Sequence, residues 1–297
     1  MIISASEKFY RNMCAILATI IAGICLYPLL YTIFVSFTSS EEWVSKGGIM
    51  WFFPVKPTLV AYQKILGSTT VIIRAVGISV FRTTFGTFLG LAINSIAAFV
   101  LSRKDLPGKK PLMLIILFTI LFSGGLIPTY LTVQNLGLKN SIWALIVPGL
   151  FNGWNILIFK QFFENVPKDL EDSARIDGVS EVGLFFRIIL PSSKAVFAAI
   201  GLFTMVGHWN SWFDASIYLD ASHQNLWPLQ LYTKINLQNT SGLNQGGLDF
   251  LINNNTSVND ITMQMALTIV TILPMLIIYP IFQKYFTKGV YLGAVKG

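Results

Sequence analysis

The chain has 297 residues, of which 54% are hydrophobic and only 12% charged, with a net charge of +7 and a mean hydropathy of +0.63. Soluble domains carry about 25% charged residues, so there are too few charges here to clothe a water-facing surface. The deficit is spread along the whole sequence, which excludes a soluble domain on a single anchor and predicts an all-α polytopic membrane protein, with one transmembrane domain over residues 1–297.

A spanning helix needs roughly 20 apolar residues at about 1.5 Å each. Six runs without Lys, Arg, Asp or Glu qualify: 12–40, 83–102, 111–138, 140–159, 195–213 and 261–283. With helix ends added, about six transmembrane helices are expected, near 12–40, 75–102, 111–134, 140–163, 195–218 and 261–286. The first run exceeds a signal-peptide core of about 7–15 residues and no A-x-A-like site follows it, so it is read as a retained span. Pro28 in that span predicts a kink. Cys14 and Cys25 lie on it too far apart (about 16 Å) for a disulfide.

Residues 41–74 follow as an outer loop whose Trp51, Phe52 and Phe53 suit the membrane interface. The turn Arg103-Lys104-Asp105-Leu106-Pro107-Gly108-Lys109-Lys110 is short and basic, and Gln134–Ser141 is a short connection on the other side. With the N-terminus in the cytoplasm, fourteen Lys and Arg fall on the inner side and at most seven outside, Arg74 and Arg82 among them. That excess of inner positive charge places both termini in the cytoplasm. The net charge is a mark of topology; no basic stripe with interleaved exposed aromatics suggests nucleic acid.

The connection 164–194 is a charged, helix-competent island between two apolar segments. Asn165-Val166-Pro167 reads as a helix start with a capping residue and a proline in the first turn. Glu171 and Arg175 stand as an i,i+4 pair. Gly178 can end that helix in the left-handed conformation, and Ser180 can cap the next. Phe185, Ile188 and Ile189 then share a face, and Pro191 closes the second helix.

This stretch resembles the signature loop of the membrane subunits of ATP-binding-cassette importers, E-A-A-x3-G-x9-I-x-L-P. Here the pattern runs Asp172-Ser173-Ala174, three residues, Gly178, nine residues, then Ile188-Ile189-Leu190-Pro191. Asp172 stands for the glutamate and Ser173 for an alanine, while Glu171 lies next door. Tyr285–Val290 through Gly293-Ala294-Val295-Lys296-Gly297 is similar to the ending of maltose-type sugar permeases. Gly207-His208-Trp209-Asn210-Ser211-Trp212-Phe213-Asp214 is similar to the oligosaccharide branch, including lipoprotein-associated, pectin- and alginate-type systems.

The resemblance implies a type I importer permease in the bacterial cytoplasmic membrane, working with a second homologous permease, two ATPase subunits that carry ATP and Mg, and an extracytoplasmic solute-binding protein. It implies that Glu171, Asp172, Ser173, Ala174, Asp177, Gly178, Ile188, Leu190 and Pro191 form the ATPase-coupling loop, and that Gly293, Ala294 and Lys296 make a second ATPase contact. This chain would itself bind no cofactor or metal and catalyse nothing.

For an oligosaccharide on its way through, Trp209, Asn210, Trp212 and Asp214 are the candidate path, since sugars match flat rings beside amide and carboxylate acceptors. An interfacial aromatic belt explains the same tryptophans. Arg82 reads either as an attractor for an acidic sugar or as a side chain reaching the headgroups. The loop 219–260 is long, rich in Asn and Gly, and without evident structure; its two sequons, at Asn239 and Asn255, are what such a composition generates by chance. Pro274 and Pro280 mark kinks in the last span. A secondary transporter or channel would show charged relays in mid-span. A membrane metalloenzyme would need more than His208 and His223, and Gly108-Lys109 lacks the rest of a P-loop.

Overall fold

The computed structural model describes the backbone of residues 5–67, 70–239 and 259–294, with side chains over 7–67, 70–237 and 259–281. Among the described residues the structure is helical throughout, with no strand. In chain order the helices are α1 (Ala5–Ser36), α2 (Ser40–Ser45), α3 (Val60–Gly67), α4 (Thr70–Ser102), α5 (Lys109–Leu121) and α6 (Leu126–Asn135). Two 3-10 turns, Ile142–Leu145 and Val147–Gly149, lead to α7 (Gly153–Glu164). Then come α8 (Lys168–Ile176), α9 (Glu181–Leu184), a π-helical turn (Phe185–Ile189), α10 (Leu190–Ser192), α11 (Lys194–Asn210) and α12 (Phe213–Tyr218). A 3-10 turn, Ala221–Leu226, precedes α13 (Leu229–Asn239), and α14 (Asp260–Ala294) ends the described chain.

Among the described residues three helical segments are long and apolar enough to cross a membrane: Glu7–Ser36, Thr70–Ser102 and Asp260–Ile281. The count reaches six only if three bent pairs each make one span. Helix α5 turns by 115° into α6, the 3-10 turns meet α7 at 48°, and the segment Glu181–Ser192 meets α11 at 81°. The first break falls on Ser123, Gly124 and Gly125, weak helix formers in an otherwise apolar run. A charge-free run reports depth in the bilayer but nothing about continuity, so the single helices expected over 111–134 and 140–163 are each broken; the third bend joins the charged loop 164–194 to the expected fifth span, where a change of helix is expected.

Cα packing divides the chain into two units, Met1–Ile72 with Thr233–Leu273, and Ile73–Tyr232 with Pro274–Gly297. In the first, Val35, Trp43 and Met50 form a small core with Tyr31, Ile261 and Met265. The stretch 41–74 is therefore folded rather than a plain loop. Ser39 caps α2 through the Glu42 amide at 3.2 Å. The Glu42 carboxylate accepts from Lys46 Nζ at 2.7 Å and from the Val55 and Lys56 amides, bonds that hold its pKa below the ordinary range. Trp51, Phe52 and Phe53 stay exposed. In the same unit Thr233 and Thr271 share a hydroxyl hydrogen bond of 2.8 Å. Part of the connection 219–260 is thus ordered as α13; residues 240–258, with the sequon at Asn255, lie outside the described residues.

The second unit is built on a larger core. Ile156, Phe159, Phe163, Leu184 and Ile189 are almost fully buried and pack with Ala98, Phe185 and Val196. Where this core lies in the bilayer it is held by close packing, since lipid tails are as apolar as the side chains. These residues come from α4, α7, α9, the π turn and α11, so the charged island is seated on the ends of α4, α7 and α11.

Candidate functional site

The island folds as a short helix, a glycine corner and a second helix. Pro167, not Asn165, stands at the N-cap of α8, and no side chain caps it; Asn165 instead ends α7. Asp169 and Glu171 lie in the first turn, where the helix dipole favours carboxylates. Gly178 has φ +77°, and two bonds close the helix: Gly178 N–H to the Arg175 carbonyl at 3.0 Å and Val179 N–H to the Ala174 carbonyl at 3.0 Å. This is a Schellman ending, which a residue with Cβ adopts only with strain. Ser180 Oγ accepts from the Gly183 amide at 3.2 Å and starts α9.

The expected Glu171–Arg175 pair is absent. Glu171 instead bonds Arg103, from the turn after α4, and Arg175 bonds Glu181 at 2.9 Å. Arg103 Nε also lies 3.9 Å from Glu181, and its guanidinium sits 4.1 Å over the Phe99 ring. Tertiary partners won because an i,i+4 pair in water is worth only a few tenths of a kcal/mol. Glu171 therefore faces inward. Asp172, Ser173 and Asp177 are exposed, as is Gly178, whereas Ala174 is buried in the core. Ile176 is 87% exposed and Val182 67%, two apolar side chains bracketing the glycine corner. Sequence reasoning passed over both, although an apolar residue beside a charged helix end was the available signal.

Beyond the corner, the turn Phe185–Ile189 is π-helical, with the Leu190 amide bonded to the Phe185 carbonyl. Pro191 accounts for it: a proline donates no hydrogen bond and its ring collides with the carbonyl four residues back, so the turn widens. Ile188 and Leu190 are half-buried and Pro191 is exposed. Gly293 and Ala294 are the last residues of α14, while Lys296 lies outside the described residues.

A cavity of about 520 Å³ lies elsewhere in the same unit, between α4, the break before α7, and the break between α11 and α12. Each break is tied to α4 by one buried polar side chain. Asn94 donates to the Leu150 carbonyl at 2.8 Å and accepts from the Asn152 amide at 2.8 Å. Arg82, 2% exposed, donates to the Ser211 carbonyl at 3.0 Å and pairs with Asp214. Asp214 also accepts from Ser211 Oγ and from the Ala215 amide. Arg82 is thus neither free for an acidic sugar nor extended to headgroups; its charge is already matched.

Of the four candidate path residues, only Asp214 lines this cavity. Trp209 is 3% exposed and belongs to the packing. Asn210 accepts from Gln230 Nε2 at 3.4 Å, and Trp212 meets Phe213 edge-on at 5.8 Å. The walls come instead from Asn152, Asn155, Thr204, His208 and Tyr218. At the far end of α12, Asn140 bonds Asp220 through both its amide nitrogen and its oxygen, and Lys139 lies 3.2 Å away. The Asn140 bond, then Lys139, hold the Asp220 carboxyl below its usual range.

Residues 2–291 match the family described as binding-protein-dependent transport system inner membrane component. The chain is 42% identical over 276 residues to the polygalacturonan/rhamnogalacturonan transport system permease protein YtcP of Bacillus subtilis (strain 168), covering 93% of this chain and 94% of the relative. It is 38% identical over 287 residues to Protein LplC of the same strain, covering 93% and 91%. Among solved structures it is similar to a chain of a bacterial ABC transporter involved in the import of the acidic polysaccharide alginate. There the TM-score is 0.86 at 28% identity, with 95% of this chain and 98% of that chain covered.

Proposed function

The chain belongs to the binding-protein-dependent transport system inner membrane components, and from that premise we propose how it works as the permease of an ATP-driven oligosaccharide importer. As such a component it takes no part in covalent chemistry; the work comes from two separate ATPase subunits that bind ATP and Mg. The chain pairs with a second, homologous permease and receives substrate from an extracytoplasmic solute-binding protein. It sits in the bacterial cytoplasmic membrane as one permease domain with both termini inside, so the 164–194 connection faces the ATPases.

The observation that carries this reading is the exposed glycine corner at Gly178, flanked by Ile176, Asp177 and Val182 on a rigidly seated island. A short helix that ends sharply and is anchored through Leu184 and Ile189 transmits a push to the membrane helices instead of absorbing it. Asp172, Asp177 and Ile176 make the contact, Glu171 braces it from behind, and Ala174, Ile188, Leu190 and Pro191 set its angle. Gly293, Ala294 and Lys296 add the second contact. The names of YtcP and of the alginate importer support an oligosaccharide cargo, whose route passes Asp214.

The test is Gly178→Pro. Proline fixes φ near −65°, which the corner at +77° cannot accept. In proteoliposomes holding the full importer, the variant chain inserts normally and the ATPases still turn over, but sugar uptake falls to background. Uptake at the wild-type rate, or a wild-type chain that purifies without ATPase subunits, overturns the assignment.

A further inference from the structure

We propose that the cavity beside Arg82 and Asp214 is a subsite for one pyranose unit of the substrate, read through its hydroxyl groups and not through a carboxylate. This rests on the importer reading and assigns residues that it leaves open.

The architecture is that of a built site. Transporters commonly place substrates where membrane helices are interrupted, because the freed backbone and helix ends there are polar. Two interruptions border this cavity, at 150–152 and at 211–212, and both are fixed to one continuous helix, α4, by Asn94 and Arg82. The volume of about 520 Å³ falls within the range of small-molecule sites, about 300–1,000 Å³.

The polar groups divide into two kinds. Arg82, Asp214, Ser211 and Asn94 are engaged with one another or with backbone and hold the walls in place. Asn155 and His208 line the same space with side chains that make no hydrogen bond among the described residues. An amide and an imidazole each both donate and accept, which is what a ring carrying several hydroxyls needs. Tyr218 and Phe203 add flat apolar surface for the C–H faces.

The charge count sets the chemistry. One guanidinium and one carboxylate face the cavity and their charges are matched to each other, with only Arg82 Nε lacking a hydrogen-bond partner, so among the described lining residues no unpaired cation remains to draw a uronate group. His208 is also held by shape. A Cβ on Gly86 would lie 2.7 Å from His208 Nε2, so the ring sits in a notch that only glycine leaves.

The experiment uses the assembled importer in nanodiscs without its solute-binding protein, so that any sugar binding belongs to the membrane subunits. The probes are radiolabelled galactotriose and trigalacturonate, which differ only in whether C6 is a hydroxymethyl or a carboxylate. Asn155→Ala and His208→Gln remove or alter the uncommitted groups, and Gly86→Ala displaces the imidazole without touching a charge. Binding of both probes weakens about five- to tenfold in Asn155→Ala, the worth of one hydrogen bond. The factor is equal for the two sugars. Gly86→Ala reproduces the effect if Asn155→Ala assembles poorly. No binding of either probe to the wild-type assembly at millimolar concentration, unaltered affinity in all three variants, or a loss confined to trigalacturonate overturns the subsite. Failure of the importer reading looks different: the ATPases do not co-purify and neither sugar is taken up with the binding protein present.

Discussion

Two arginines on one continuous segment hold opposite ends of the second unit in different ways. Arg103, just past the end of α4, bonds Glu171 with about a fifth of its side chain still exposed, and Arg82, 21 residues earlier and about 31 Å away along the helix, is itself almost wholly buried but bonds an Asp214 that keeps about a quarter of its side chain exposed to the cavity. The residue types are similar and the settings are not. At Arg103 part of the side chain still meets water, although Nε and one terminal nitrogen are buried without a hydrogen-bond partner, so this contact is only partly screened. The Arg82 guanidinium has no water to turn to, so losing its carboxylate costs more. The lesson is that α4 is held by an arginine pair at two places, with the arginine sealed from water beside the cavity and in partial contact with it beside the proposed ATPase corner.

The largest effect expected breaks the pair at Arg82. Asp214→Ala strands a buried guanidinium and destabilises the chain by about 3–5 kcal/mol, measured as the unfolding midpoint in detergent. Replacing both partners, Arg82→Met with Asp214→Leu, restores most of that stability. A double variant as unstable as the single one would show that the pair is not what anchors the α11–α12 break.

The next effect lies on the exposed side of the comparison. Ile176→Ala removes an apolar anchor from the corner and weakens ATPase association about tenfold, or about 1–2 kcal/mol, read by titration of purified subunits. Smaller again is Arg103→Ala, which costs about 1 kcal/mol or less in stability because the pair is partly solvated. Its signature is functional: more ATP hydrolysed per sugar imported, since α8 then moves without carrying α4. A wild-type ratio would mean that Arg103 only packs.

Least of all is the acid response at Asp220. Its folded carboxyl is depressed, so the tie to Asn140 and Lys139 is intact above the ordinary aspartate range and is lost only as pH falls through the lower folded value. Protection of the Asn140 and Asp220 amides, taken relative to their intrinsic exchange rates, stays flat from neutrality to about pH 5 and falls only below about pH 4.

These contrasts also mark what was legible in the residues alone. The helical class and the seating of Gly178 and Ser180 followed from apolar run length and from local backbone chemistry, where cause and effect lie within a few positions. The partners of Glu171 and Arg82 did not. Each is paired across 68 and 132 positions respectively, and nothing local tells an arginine in an apolar run whether it will find water or a carboxylate. The helix breaks at 150–152 and 211–212 were hidden for a related reason. Charge-free sequence looks uniform, and the groups that stabilise those breaks, Asn94 and Arg82, belong to another helix. Trp209 and Trp212 drew attention by size, while Asn155 and His208 carry the uncommitted polarity.

The π turn at Phe185–Ile189 has a consequence for how this stretch tolerates length change. A π turn holds one residue more than an α turn, so the nine-residue spacer between Gly178 and Ile188 stores a surplus position. Deleting a single residue there removes the surplus as the helix relaxes to ordinary winding, so the residues on either side keep their place around the axis, whereas the same deletion in a plain helix turns everything beyond it by about 100°. Ile189 would keep its buried seat, and the chain would re-enter α11 at nearly the same angle. Loss of one amino acid here is therefore milder than loss of one in the ordinary turns of α8.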